Sequence, residues 1–136
     1  MKTKHIPLHK KKDKYGSFVN KFSSYHRHKL SIKEECAVFG ISNNKDAAAL
    51  TALGLHALQH RGQEGCGIVT YDKINFHSER RLGLVGDNFT KAQTLDKLPG
   101  SVAIGHNRYS TTGGNVIRNV QPFYADLHGG GISIAH

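Results

Sequence analysis

The chain has 136 residues, 38% of them hydrophobic, with 15 glycines and a formal net charge of +9. That length suits one domain; no apolar run approaches the ~18 residues of a transmembrane helix, and the basic N-terminus lacks the apolar core of a secretory signal. The charge does not describe a nucleic-acid-binding globule, because residues 1–35 hold ten Lys/Arg against three Asp/Glu while residues 36–136 hold nine against seven, so the basic excess lies in the first 35.

Residues 1–35 read as a flexible tail: HKKKDK (9–14) is a solvated charge run, and Gly16, Ser17, Ser23 and Ser24 add little periodicity. RNA binding by this tail is an alternative reading, although arginine-rich and glycine-aromatic repeats are absent from it. The domain then begins with CAVFGI (36–41), a short apolar run suited to a buried strand. SNNKD (42–46) supplies a turn and a helix N-cap at Asn44 or Asp46. Residues 47–60 place Leu50, Leu53, Ala57 and Leu58 near helical spacing, which predicts an amphipathic helix ended by Arg61-Gly62. Residues 65–71 and 74–81 predict a hairpin across Asp72-Lys73. Residues 88–98 predict a polar helix stopped by Pro99-Gly100. Residues 101–109 read as a strand that runs into the loop STTGGN, and 121–127 with 131–136 form another apolar pair turning at HGGG. Strands outnumber helices and hairpins recur, so an α+β layer arrangement is expected.

Three stretches carry candidate chemistry. Cys36 heads the first strand, and a thiolate is a competent nucleophile. As an internal residue it follows Glu34 and Glu35, whose negative charge disfavours the thiolate. Cutting the Glu35–Cys36 bond reverses this: the glutamates leave, and the freed α-amine, with a pKa of about 7.7–8.0, becomes an adjacent base. The plainer reading of Cys36 is a buried core thiol. Arg61 at a helix end either complements the macrodipole or lines the mouth of a site. In IGHNRYSTTGG (104–114), a strand delivers Arg108 to a loop with Ser110, Thr111, Thr112 and two glycines. A guanidinium fork with hydroxyls and exposed N–H groups suits a carboxylate, and a phosphate equally well. Neither phosphate-binding glycine fingerprint is present, and HGGG without G-x-S-x-G does not make an esterase. Cys66, between two glycines, reads as a small packed residue. Cys36 and Cys66 without a secretory signal fit a reduced, cytoplasmic compartment, and no cysteine–histidine spacing fits zinc, so no metal is expected in this segment.

Together EECAVFGI (34–41), ALGLHALQHRGQEGCGIV (52–69), IGHNRYSTTGG (104–114), QPF (121–123) and GGISIAH (130–136) resemble, in order and spacing, the glutaminase domain of the amidophosphoribosyltransferases. The resemblance implies the four-layer αββα sandwich of the N-terminal-nucleophile hydrolases, incomplete at the C-terminal end, and it makes residues 1–35 a propeptide. It implies Cys36 as the nucleophile that attacks glutamine, Arg108 with Thr111 as the α-carboxylate grip, and Arg61 at the glutamine site. The ammonia released would reach a phosphoribosyltransferase domain outside this chain and convert phosphoribosyl pyrophosphate to phosphoribosylamine, the first step of de novo purine synthesis. An Asn-Gly oxyanion hole, magnesium and, where present, an iron–sulfur cluster would lie beyond His136, in a full-length homo-oligomer. The chain is therefore expected to be the front of a longer protein, with little turnover alone. The alternatives are another class II glutamine amidotransferase and a non-catalytic, carboxylate-binding remnant.

Overall fold

The computed structural model describes residues 35–110 and 113–136. Strand β1 (Ala37–Ile41) leads through the 42–46 turn to helix α1 (Ala47–Ala57), which tightens into a 3-10 turn at Gln59–Arg61. Hairpin strands β2 (Gly65–Tyr71) and β3 (Phe76–Leu82) follow. Two single-turn helices, α2 (Val85–Asn88) and α3 (Ala92–Leu95), precede β4 (Val102–Arg108). A 3-10 turn at Ile117–Asn119 then leads to the hairpin β5 (Phe123–Leu127) and β6 (Gly130–Ile134), closed across His128-Gly129. The α+β expectation holds.

The first four strands form one antiparallel sheet in the order β1-β4-β2-β3; β5 and β6 form a second, two-stranded sheet. Register fixes the two faces, since paired residues point to the same side. Ala37 pairs with Asn107, Asn107 with Cys66, and Gly105 with both Phe39 and Ile68. These odd-numbered β1 and β4 positions, with even-numbered β2 positions, face α1, and Cys66, Ile68 and Ala103 join Ala47, Ala52 and Leu55 in one buried core. Val38, His106 and Gly67 take the other face.

That second face is covered by the β5–β6 hairpin. Gly67 shows how closely: a Cβ there would lie 2.3 Å from the Gln121 carbonyl oxygen, so only glycine allows the approach. Tyr71 stacks on Phe76 at 5.0 Å between ring centres, and Phe76 meets Tyr124 at 5.8 Å. Arg80 donates to the Val120 carbonyl oxygen at 3.2 Å and lies over the Phe123 ring. The hairpin's outward face leaves Leu127, Ile132 and Ile134 exposed.

Two local expectations differ from the structure. The face of α1 against the sheet is Ala47, Ala48, Thr51, Ala52 and Leu55, whereas Leu53 is 65% exposed. Small side chains let the helix axis approach the sheet closely, so bulk did not select the buried face. The 88–98 segment is two separate turns, because Asn88 is spent binding the carbonyl oxygens of Leu82 and Leu84 and so ends the first of them. The helix N-cap position is Asp46, whose side chain makes no capping bond; Asn44 instead accepts the Asp46 N–H through Oδ1 at 2.9 Å.

Candidate active site

The antiparallel pairing of β1 with β4 brings Cys36 beside the end of β4, because Ala37 lies opposite Asn107. There the Tyr109 backbone N–H donates to the Cys36 sulfur at 3.3 Å, and the thiol lies 3.5 Å from the Tyr109 carbonyl oxygen as a donor. One further step of the same register sets Cys36 opposite Arg108. The partly buried thiol is therefore held by main chain at the point where β4 gives way to its loop.

Arg61 reaches the same point from the other side. The 3-10 turn that follows α1 carries it, and Gly62 presses this turn onto β4: a Cβ at Gly62 would lie 2.8 Å from the Arg108 carbonyl carbon. Arg61 Nε donates to the Cys36 carbonyl oxygen at 3.3 Å, and its terminal nitrogen stands 3.6 Å from a Glu35 carboxylate oxygen. Two amides, the buried Asn107 and the half-buried Gln59, set this geometry. Asn107 Nδ2 donates to the Leu55 carbonyl oxygen at 2.7 Å, tying the end of α1 to β4. Gln59 accepts the Val85 N–H at 2.7 Å through Oε1 and donates to the Gly62 carbonyl oxygen through Nε2.

Arg108 is only 8% exposed. Its guanidinium donates to the Asn119 carbonyl oxygen at 3.1 Å, to Ser110 Oγ at 3.2 Å and to the Gly113 carbonyl oxygen at 2.8 Å. The loop after β4 is thus folded around this one side chain, which presents fixed positive charge beneath it. Thr111, the other residue expected at a carboxylate grip, lies outside the described residues.

His106, on the face of β4 that meets the hairpin, is fully buried, with Nε2 2.9 Å from the His136 carbonyl oxygen. A carbonyl only accepts, so Nε2 carries the proton in this contact. Burial holds the imidazole below its ordinary value, opposed by the His136 contact and aided by the Arg108 charge. Cys66 is buried, contacts the Gly83 carbonyl oxygen at 3.4 Å, and is pushed up to about 12 by burial. It remains a protonated packing residue, and both cysteines are free thiols.

Cys36, Arg61 and Arg108 therefore converge, from three separated sequence positions, on one end of β4. Sequence reasoning missed three contributors. The Tyr109 contact is main chain and leaves no side-chain signal. Gln59 and Asn107 are amides inside an apolar helix end and an apolar strand, and an uncharged amide in such a setting is the available clue. Among the described residues no group of three or more His, Cys, Asp or Glu comes together as a metal site, and no helix is long and apolar enough to cross a membrane.

No family model matches the chain. The amidophosphoribosyltransferase of Rhizobium etli is 63% identical over 106 residues, covering 78% of this chain and 21% of the relative. Amidophosphoribosyltransferase 3, chloroplastic, of Arabidopsis thaliana is 50% identical over 105 residues, covering 77% of this chain and 20% of the relative. Among solved structures, glutamine phosphoribosylpyrophosphate amidotransferase from B. subtilis, complexed with ADP and GMP, superposes with a TM-score of 0.63 at 40% identity. It covers 72% of this chain and 21% of that one. A structure described as the allosteric regulatory enzyme of purine biosynthesis gives a TM-score of 0.65 at 42% identity, over 71% of this chain and 21% of that one. At such identities the described body is a homologue of part of a larger amidotransferase. The particular relatives are the amidophosphoribosyltransferases, and the chain spans about a fifth of the length of the two named here.

Proposed function

We propose that the protein carrying this chain hydrolyses glutamine at Cys36 and passes the ammonia to phosphoribosyl pyrophosphate, forming phosphoribosylamine at the entry to purine synthesis. The observation that carries the reading is the convergence of a main-chain-held thiol, Cys36, with Arg108 and Arg61 at one strand end. Its support is the similarity to amidophosphoribosyltransferases across the same residues.

Chemically, the site needs Cys36 at a chain start. Its α-amine then takes the thiol proton, and the sulfur attacks the side-chain amide carbon of glutamine. The amine returns the proton to the departing nitrogen, which leaves as ammonia and a glutamyl thioester remains. Water adds to the thioester, the proton goes back to sulfur, and glutamate departs. Arg108, with Thr111, fixes the α-carboxylate, and Arg61 flanks the reacting end. A carboxylate grip on a buried, pre-oriented guanidinium loses little entropy on binding.

In this reading residues 1–35 are a propeptide, and the helix, the four-stranded sheet and the hairpin are parts of an αββα sandwich. The transferase half, any magnesium or iron–sulfur site, and the contacts of a cytoplasmic homo-oligomer belong to sequence outside residues 1–136. The decisive experiment measures glutamate formed from glutamine by the complete gene product, alongside the mass of its N-terminus. Turnover with Cys36 leading the chain is expected. Turnover retained in Cys36→Ala would sink the proposal.

A further inference from the structure

We infer that Arg61 acts before glutamine ever binds, as the positioning residue for cleavage of the Glu35–Cys36 bond. The inference rests on the reading of Cys36 as a nucleophile that must head its chain.

The guanidinium touches the residues on both sides of that bond. One terminal nitrogen stands 3.6 Å from the Glu35 carboxylate, and Nε donates to the Cys36 carbonyl oxygen at 3.3 Å. The sulfur is fixed separately, by the Tyr109 N–H at 3.3 Å. The main chain that carries Arg61 is fixed, because Gly62 packs against Arg108 and Gln59 holds the turn. Both partners of the ion pair are exposed, Arg61 at 43% and Glu35 at 64%, and such pairs add little to stability. Arg61 therefore contributes orientation: it aligns the scissile carbonyl of Glu35 with the sulfur that follows it.

The step balances with water as the sole co-reactant. Cys36 Sγ attacks the Glu35 carbonyl carbon through a five-membered ring. The Glu35 C–N bond breaks, and the thiol proton goes to the departing α-nitrogen, leaving a thioester and a free amine. Water then adds to the acyl carbon, the sulfur regains a proton, and residues 1–35 leave with a carboxylate on Glu35. That departure removes the Glu35 partner from Arg61 and frees its guanidinium for the glutamine site, so one side chain serves two successive steps.

The test follows loss of residues 1–35 from the complete gene product by intact mass over time. Wild type, Arg61→Ala, Arg61→Lys, Glu35→Ala and the Arg61→Ala/Glu35→Ala pair are compared. We expect Arg61→Ala to slow release roughly tenfold, Arg61→Lys to recover most of the rate, and Glu35→Ala to slow it about 2–5-fold, the size of an exposed ion pair. The double variant should be no slower than Arg61→Ala, since both changes break one contact. Wild-type rates in Arg61→Ala, or single effects that multiply in the double variant, overturn the inference. Should Arg61→Ala misfold, Arg61→Gln decides, because it removes the ion pair and leaves Glu35 and its charge beside Cys36 unchanged: an undiminished rate overturns the inference. A wild-type protein that keeps residues 1–35 removes this inference and the reading of Cys36 together. A wild type that sheds them regardless of Arg61 removes this inference only.

Discussion

The Cys36 sulfur and the Tyr109 backbone nitrogen lie 3.3 Å apart, with the N–H directed at the sulfur. The partner is main chain, so it stays in place whatever side chain residue 109 carries. That contact, with the thiol's own approach to the Tyr109 carbonyl oxygen, fixes where the sulfur sits, and a fixed position is what an attacking atom needs. A cysteine-directed glutamine analogue is accordingly expected to label Cys36 in the processed protein. Tyr109→Phe should label at the wild-type rate, and Cys36→Ala should not label. Labelling at Cys66 instead, seen by peptide mapping, would contradict the assignment.

Arg108 organises its loop as well as carrying charge. Removing it leaves the Asn119 carbonyl oxygen without its donor and the Gly113 carbonyl oxygen with Ser110 Oγ alone. Hydrogen bonds to charged groups are worth about 1.5–3 kcal/mol, so Arg108→Ala should lower stability by roughly 2–3 kcal/mol in urea titrations. Arg108→Lys should preserve more of that stability yet still raise KM for glutamine, because an ammonium lacks the planar fork. An unchanged KM in the lysine variant would remove Arg108 from the carboxylate grip.

Gly67 sets the spacing between the two sheets. Alanine would bring a Cβ to 2.3 Å from the Gln121 carbonyl oxygen, and backbone cannot swing aside as a flexible side chain can. Gly67→Ala is expected to cost about 1–3 kcal/mol, the usual scale of overpacking. Equilibrium unfolding measures this, and a neutral result would mean the chain entering the hairpin at Gln121 does not press on β2 in solution.

Stability should fall as pH drops below about 6.5, the ordinary value of histidine. Burial depresses His106 in the folded state, so the unfolded chain binds a proton that the folded chain refuses. The His106 contribution is complete above that pH and fades below it. His106→Gln should therefore show a shallower loss of stability between pH 7.5 and 5 than wild type. Equal slopes would exclude His106 as a source.

A second pH effect belongs to the β2–β3 turn. Asp72 accepts the N–H groups of Ile74 and Asn75 and pairs with His77 at 2.7 Å, and these contacts, Asn75 first, hold its carboxyl at about 2, below the ordinary 3.8. Its stabilisation is present above the ordinary value and lost as pH falls through about 2. Asp72→Asn should remove the acid-side component of unfolding in that window, as followed by circular dichroism. An unaltered acid transition would show that the turn does not depend on this carboxylate.

Much of the fold was legible because its strands are short, apolar and separated by strong turn residues. The β2–β3 hairpin formed where predicted, and so did the pair turning in HGGG. The buried face of α1 was not legible: the leucines suggested it, but the sheet receives alanines, Thr51 and Leu55. Helical spacing gives a period and cannot say which of two apolar stripes a flat sheet will accept. Cys36, Arg61 and Arg108 stood out individually by residue type. Their meeting depends on β1–β4 register and on the turn after α1, long-range relations that no local pattern encodes. The capture of Arg108 by the carbonyls of its own loop was likewise absent from the pattern, since backbone acceptors look alike in every sequence.

Gln59 clips the turn after α1 through Gly62 and simultaneously braces α2 through Val85. A change in the 85–88 turn, well away from the sulfur, would therefore reach Arg61 by leverage rather than by touch. Under the proposed function, variants there would alter when residues 1–35 are released, or how glutamine is seated, while every residue lining the site stays the same.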